Sequence, residues 1–329
     1  MTSPLLARRP FAALAAVLIL GLVATACAPG EETPPATEGA GPASLRVAFV
    51  PATTALPLHV AQAQGIFERH NLDVTLSEAG NISDLPATLG RQFDVTMGTA
   101  TDLIRAGAAG LDVMQVAGNT VSTDANPFVQ LIVPADSGIT NVSQLRGRTV
   151  GTPTLSGVIH VATLYWAQQQ GVEPTAIRGV EAPSPNLPDQ LRAGRLDAVQ
   201  ALEPFATTLQ REGFVSLGSP FSAIADPLAT NFFMAQGSWA ENNRGAIGRF
   251  VQALREADEY IQQNPAEARQ ILQGFTGMPA PVASTVPLPT YNFDIRTDDL
   301  RTWDRVMRSV GQLDRNVDVN RLVLAPAGS

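Results

Sequence analysis

From residue 45 onward, short apolar runs alternate with helix-compatible stretches, and this rhythm limits what the chain can fold into. Runs at 45–50, 72–76, 94–97, 113–117 and 128–133 read as strands. Helical stretches separate several of them, at 58–64, 85–89 and 102–109, the first closed by Gly65. Strands joined through helices pair in parallel, so the rhythm predicts an α/β fold with largely parallel sheets. In such folds ligands sit at the carboxyl ends of the strands. The character changes later: 245–264, 265–272 and 300–310 read as helices, and Asn264-Pro265 gives the second of them an N-cap and an N1 proline.

A weak internal repeat narrows the choice. Gly90-Arg91-Gln92-Phe93-Asp94-Val95 is answered by Gly194-Arg195-Leu196-Asp197-Ala198, and the turn at Pro51 is answered by one at Pro153. The offsets are 102 residues for the prolines and 103 for the aspartates. Two related α/β units predict two lobes with a cleft between them, a usual place for a small ligand. The expected partition is 45–134 for the first lobe, 135–227 for the second, and 228–329 for a return to the first that carries the C-terminal helices.

Composition excludes several chemistries. All 22 basic residues are Arg, so neither a Walker-type phosphate loop nor a Schiff-base lysine can form. A net charge of −8 leaves no basic stripe for a nucleic acid. One Cys precludes an intramolecular disulfide, and His59, His70 and His160 stand in no metal-binding pattern. Ser156-Gly157 lacks the flanking glycines of a nucleophile elbow. His59 and His160 follow the repeated turns and could each face a cleft, a helix surface or the core. Binding without cofactor or metal is therefore expected.

The first 26 residues read as an export signal. Arg8 and Arg9 precede thirteen residues without a polar side chain, 11–23, whereas a membrane-spanning helix takes roughly 20. Ala24-Thr25-Ala26-Cys27 then resembles the bacterial lipobox, in which the Cys thiol is diacylated and becomes the new N-terminus. The Arg pair leaves Sec and twin-arginine export both open. Residues 27–44, rich in Pro, Gly, Ala and Glu, cannot bury a core and read as a flexible tether. The expectation is an acidic body held by lipid at the outer face of the cell membrane.

Hydroxyl-rich turns stand before helical stretches in three places: Thr53-Thr54, Thr99-Ala100-Thr101 and Thr154-Leu155-Ser156. Free backbone N–H groups at a helix start attract anions or carbonyl oxygens, and Ser or Thr hydroxyls add short neutral hydrogen bonds. Each hydroxyl could equally cap its own helix.

Several stretches carry a family resemblance. In order they are Ala61-Gln62-Ala63-Gln64-Gly65-Ile66-Phe67, Asn71-Leu72-Asp73-Val74, the two Gly-Arg segments above, Leu145-Arg146-Gly147-Arg148-Thr149-Val150-Gly151, and Leu202-Glu203-Pro204-Phe205. From residue 45 to about 275 the chain resembles the substrate-binding proteins of ABC importers for nitrate, sulfonates, taurine and bicarbonate. These share their domain family with the binders of thiamine-pyrimidine precursors. The resemblance implies a type II periplasmic-binding fold, with two α/β lobes, two chain crossings and closure around a ligand. It implies ligand contacts from Thr53, Thr54, Thr99, Thr101, Asn119, Thr154, Ser156, His160, Glu203 and Asn231. The pyrimidine-synthase relatives use a Cys-rich motif and an active-site Lys, and this chain has neither. Leu202 stands where the family often has Trp.

The reading is thus a monomeric solute-binding lipoprotein of an ABC importer, anchored through Cys27 and delivering its solute to a permease driven by an ATPase. The solute is a sulfonate- or nitrate-like anion or a pyrimidine-like heterocycle. The alternative is an exported enzyme on the same fold.

Overall fold

The computed structural model describes residues 41–325. The export signal, Cys27 and most of the expected tether lie outside the described residues. Two sheets form. The first holds β1 (Ala43–Phe49), β2 (Leu72–Glu78), β3 (Val95–Thr99), β4 (Val113–Ser122), β10 (Leu228–Gln236) and β11 (Thr290–Tyr291), in the order β11-β4-β10-β3-β1-β2. The second holds β5 (Val129–Val133), β6 (Thr149–Thr152), β7 (Arg178–Glu181), β8 (Ala198–Leu202) and β9 (Val215–Ser216), in the order β7-β6-β8-β5-β9.

The two sheets share one plan. In the first, β1 runs parallel to both β2 and β3, and β10 returns antiparallel beside β3. In the second, β6 runs parallel to β7 and β8, and β5 lies antiparallel beside β8. The repeat of Gly-Arg followed two or three residues later by Asp has a physical cause within this plan. Gly90 and Gly194 take left-handed backbone (φ 73° and 64°), which closes a turn at little cost only without a Cβ. The aspartate that follows then clamps the neighbouring strand. Asp94 Oδ2 accepts the Arg46 N–H at 2.9 Å, and Asp197 Oδ2 accepts the Thr149 N–H at 2.7 Å. Each clamp carries a guanidinium as well, Arg46 at 2.6 Å on Asp94 and Arg148 at 3.1 Å on Asp197.

Two expectations need correction. Of the stretch 85–89, residues 85–88 lie in a 3-10 segment, Ile82–Thr88, and Leu89 is extended, because Pro86 has no N–H to give an α-helical turn. The run at 128–133, placed in the first lobe, pairs with β8 and β9 as β5 of the second sheet. The first crossing between sheets therefore lies at 123–128, ahead of residue 135. The returning crossing runs alongside it: the Asp124 N–H donates to Asp226 Oδ1 at 3.2 Å.

One apolar cluster ties both sheets together. It joins Leu103 and Ile104 of helix Ala100–Ala108, Val161 and Leu164 of helix Val158–Gln169, and Trp303 of helix Thr297–Ser309. A second cluster covers the first sheet, with Phe67 stacked on Phe250 and Phe233 edge-on to it.

Candidate functional site

A cleft of about 1070 Å³ opens where strands of both sheets end. From the first sheet it takes residues 50–54 after β1, 80–83 after β2, and Thr99 at the end of β3. From the second it takes 153–154 after β6, 181–185 after β7 and 202–205 after β8. Three parallel strands of each sheet thus present their carboxyl ends to one space, as open α/β sheets do at ligand sites. The return segment adds Met278, Pro279 and Val282.

Six of the ten expected contact residues line this cleft: Thr53, Thr54, Thr99, Thr154, Glu203 and Asn231. Thr53 and Thr54 form a 3-10 turn that leads into helix Leu56–Ala63, and both are nearly buried. Their carbonyls are held from behind. Tyr291 Oη donates to Thr53 O at 2.7 Å, and Asn119 Nδ2 donates to Thr54 O at 3.0 Å. Thr99 caps helix Ala100–Ala108, accepting the Asp102 N–H, and its hydroxyl donates to Asp102 Oδ2 at 2.6 Å. The bland capping role expected for a hydroxyl at this position is therefore filled, and Thr99 also faces the cleft. Glu203, at the end of β8, accepts the Thr207 N–H at 3.1 Å and so caps helix Phe205–Arg211. Burial pushes its carboxyl above the usual range, opposed by the Thr207 hydrogen bonds and by Arg211. Asn231 lies inside β10, where its Oδ1 accepts the Thr120 hydroxyl at 3.3 Å.

The other four are set back from the cleft. Thr101 and Asn119 are wholly buried, and Asn119 sits within β4 rather than after its end. Asn119 supports the Thr53-Thr54 turn, and its own Oδ1 has no hydrogen-bond partner. Ser156 offers its carbonyl to the Arg105 guanidinium instead of its hydroxyl to the cleft. His160 is under the second sheet, with Nδ1 3.1 Å from Gln200 Nε2 and its ring against Gly179, where a Cβ would lie 2.9 Å from Cε1. Burial lowers its pKa to about 4, so the ring is neutral at pH 7. His59 is likewise outside the cleft lining, stacked 3.8 Å from Phe275 and edge-on to Phe49, and burial lowers it to about 4.

The structure adds residues that the sequence reading missed. Asp102 is only 7% exposed yet lines the cleft, and burial pushes its carboxyl up. Glu181 ends β7, where its Oε2 accepts the Leu155 N–H at 2.8 Å. Phe128, Pro183 and Phe205 supply apolar wall. Glu181 could have been found from the rule that strand ends bear ligands, had β7 been recognised in the short, polar-flanked run 178–181.

Comparison with known proteins agrees with this architecture. The family model described as NMT1/THI5 like matches residues 52–268. The chain is 25% identical over 227 residues to a 4-amino-5-hydroxymethyl-2-methylpyrimidine phosphate synthase, THI13, of Saccharomyces cerevisiae, a match covering 65% of each chain. It thus spans just under two thirds of the length of that relative. Among solved structures, the periplasmic aliphatic sulphonate binding protein SsuA of Escherichia coli superimposes with a TM-score of 0.73 at 18% identity, covering 86% of this chain and 97% of that one. The periplasmic nitrate-binding protein NrtA of Synechocystis PCC 6803 gives 0.71 at 14% identity, covering 86% of each. At these identities the likeness shows the fold, a two-lobed periplasmic-binding architecture.

Proposed function

The chain belongs to the NMT1/THI5-like family, and from that premise we propose that it is the extracytoplasmic solute-binding lipoprotein of an ABC importer. In this reading the lobes close on a small solute, and the loaded monomer delivers it to a membrane permease driven by an ATPase. Acylated Cys27 holds the body at the outer face of the membrane. Among the described residues no helix is long and apolar enough to cross a membrane.

The observation that carries this reading is the cleft itself: carboxyl ends of three parallel strands from each of two sheets face one space. Thr53, Thr54, Thr99, Thr154, Glu203 and Asn231 make the solute contacts, while Asn119 serves through the Thr54 carbonyl it holds and Ser156 through its own carbonyl, which Arg105 holds. Thr101 and His160 belong to the packing behind the site.

A second reading is favoured by the sequence relatives named as synthases, which makes an exported enzyme the rival. The residues in hand support binding instead. The chain has no Lys for a Schiff base, and His59, His70 and His160 all lie outside the cleft lining, where they serve no proton transfer to a bound solute.

The test is a thermal-shift screen followed by mass spectrometry of the solute. A solute at 100 times its Kd should stabilise the protein by about 2.7 kcal/mol. Recovery of that solute unchanged after prolonged incubation supports binding. Its conversion to a product contradicts it.

A further inference from the structure

Resting on the solute-binding reading above, we propose that the cleft selects an organic cation, an ammonium group on an apolar body, over an anion. The charged side chains that line it, among the described residues, are Asp102, Glu181, Glu203 and Arg192. The one guanidinium is already committed. Arg192 Nε and Nη2 donate to the two oxygens of Glu212, each at 2.8 Å, and Nη1 donates to Asp189 at 2.6 Å. An anion in the cleft would therefore face three carboxylates with no free cation on the lining.

Each carboxylate, by contrast, is held by uncharged donors, hydroxyls or N–H groups, rather than by a cation. Asp102 Oδ2 takes the Thr99 hydroxyl, Glu181 Oε2 takes the Leu155 N–H, and Glu203 Oε2 takes the Thr207 N–H. Among the described residues none of the three forms an ion pair. Asp102 is the most telling. The residue is only 7% exposed, and burial raises its carboxyl although the Thr99 and Ser83 hydroxyls oppose the shift. Arg105, one turn further along the helix, is directed to the Ser156 carbonyl and to Gln312 Oε1 at 2.9 Å. A buried carboxylate short of counter-charge is costly, and a desolvated ammonium with N–H donors is the chemistry that relieves it. Burial holds both Asp102 and Glu203 above the ordinary carboxylate range, as expected of groups short of such a partner. Phe128, Phe205, Pro183 and Met278 offer the apolar contact for the rest of the molecule.

The experiment is calorimetric titration of the intact protein with three probes on one apolar body: 2-phenylethylamine, 2-phenylethanol and 2-phenylethanesulfonate. The ammonium should bind at least about tenfold tighter than the alcohol, with the sulfonate weakest, and added salt should weaken the ammonium alone. Glu203→Gln and Asp102→Asn should each cost the ammonium about ten- to a hundredfold and leave the alcohol nearly unchanged. Because both residues also support local structure, circular dichroism and the alcohol titration establish that each variant is folded. A sulfonate that binds as tightly as the ammonium, or an ammonium no tighter than the alcohol, overturns the cationic assignment. Tight sulfonate binding would leave the solute-binding reading standing, whereas conversion of any probe to product would strike that reading instead.

Discussion

Replacing Trp303 with Ala should lower the unfolding free energy by about 3–5 kcal/mol, the usual cost of truncating a fully buried large aromatic. Trp303 is wholly buried on helix Thr297–Ser309, edge-on to Phe221 at 6.0 Å, inside the apolar cluster shared by both sheets. Its Nε1 donates to Ala229 O at 2.8 Å, and Asp299, one turn earlier, accepts the Ala229 N–H at 2.8 Å. The same helix reaches the second lobe, where Gln168 Nε2 donates to Ser309 O at 2.8 Å. Trp303→Ala therefore opens a void and strands the Ala229 carbonyl at the place where β10 of the first sheet meets the cluster. Trp303→Phe keeps a six-membered ring but removes the donor and part of the ring volume, so it should cost at least about 1–3 kcal/mol, the penalty for an unsatisfied buried acceptor, with a smaller cavity cost than the alanine variant. Urea melts with an unchanged m-value check both figures. A loss below about 1 kcal/mol for the alanine variant would show that the helix does not hold the two lobes together.

Cys27→Ser should move the protein from the membrane fraction to the soluble fraction almost completely. A single myristoyl chain gives only marginal, reversible attachment, while two or more chains anchor stably, so if Cys27 carries the proposed anchor its loss should be all-or-none. Cys27 is the only Cys in the chain, which leaves no second thiol to compensate. The check is fractionation of cells expressing either form. Unchanged partition would remove the lipid anchor from the account.

What could be read from the sequence was local, and what could not was set by distant pairing. The repeat of Gly-Arg and a following Asp was legible because its function is local: a left-handed glycine closes the turn and the aspartate clamps the strand beside it. Thr99 was legible as a helix start for the same reason. The membership of β5 was not, since an apolar run of five residues says nothing about whether its partner is Val199 of β8 or a strand of the other sheet. Among the hydroxyl and amide candidates, face was the missing information. Thr99 lines the cleft and Thr101, two residues on, is turned into the core, because the chain changes from strand to helix between them. Asn119 was expected beyond a strand end, yet β4 continues to Ser122 and carries it inward. Asp102 escaped notice because acidic residues are common in this chain, and only the packed structure shows one of them buried at a cleft.

Closure of the lobes around a solute is the central claim, and a distance across the cleft measures it. Cys27→Ser leaves the chain free of thiols, so nitroxide labels can be placed at Gly80→Cys and Pro185→Cys, exposed cleft-lining positions after β2 and after β7. Pulsed electron paramagnetic resonance then reports the label-to-label distance with and without the solute that gives the largest thermal shift. Saturating solute should shorten the distance and narrow its distribution. A distribution unchanged at saturation would contradict a binding protein that closes on its solute.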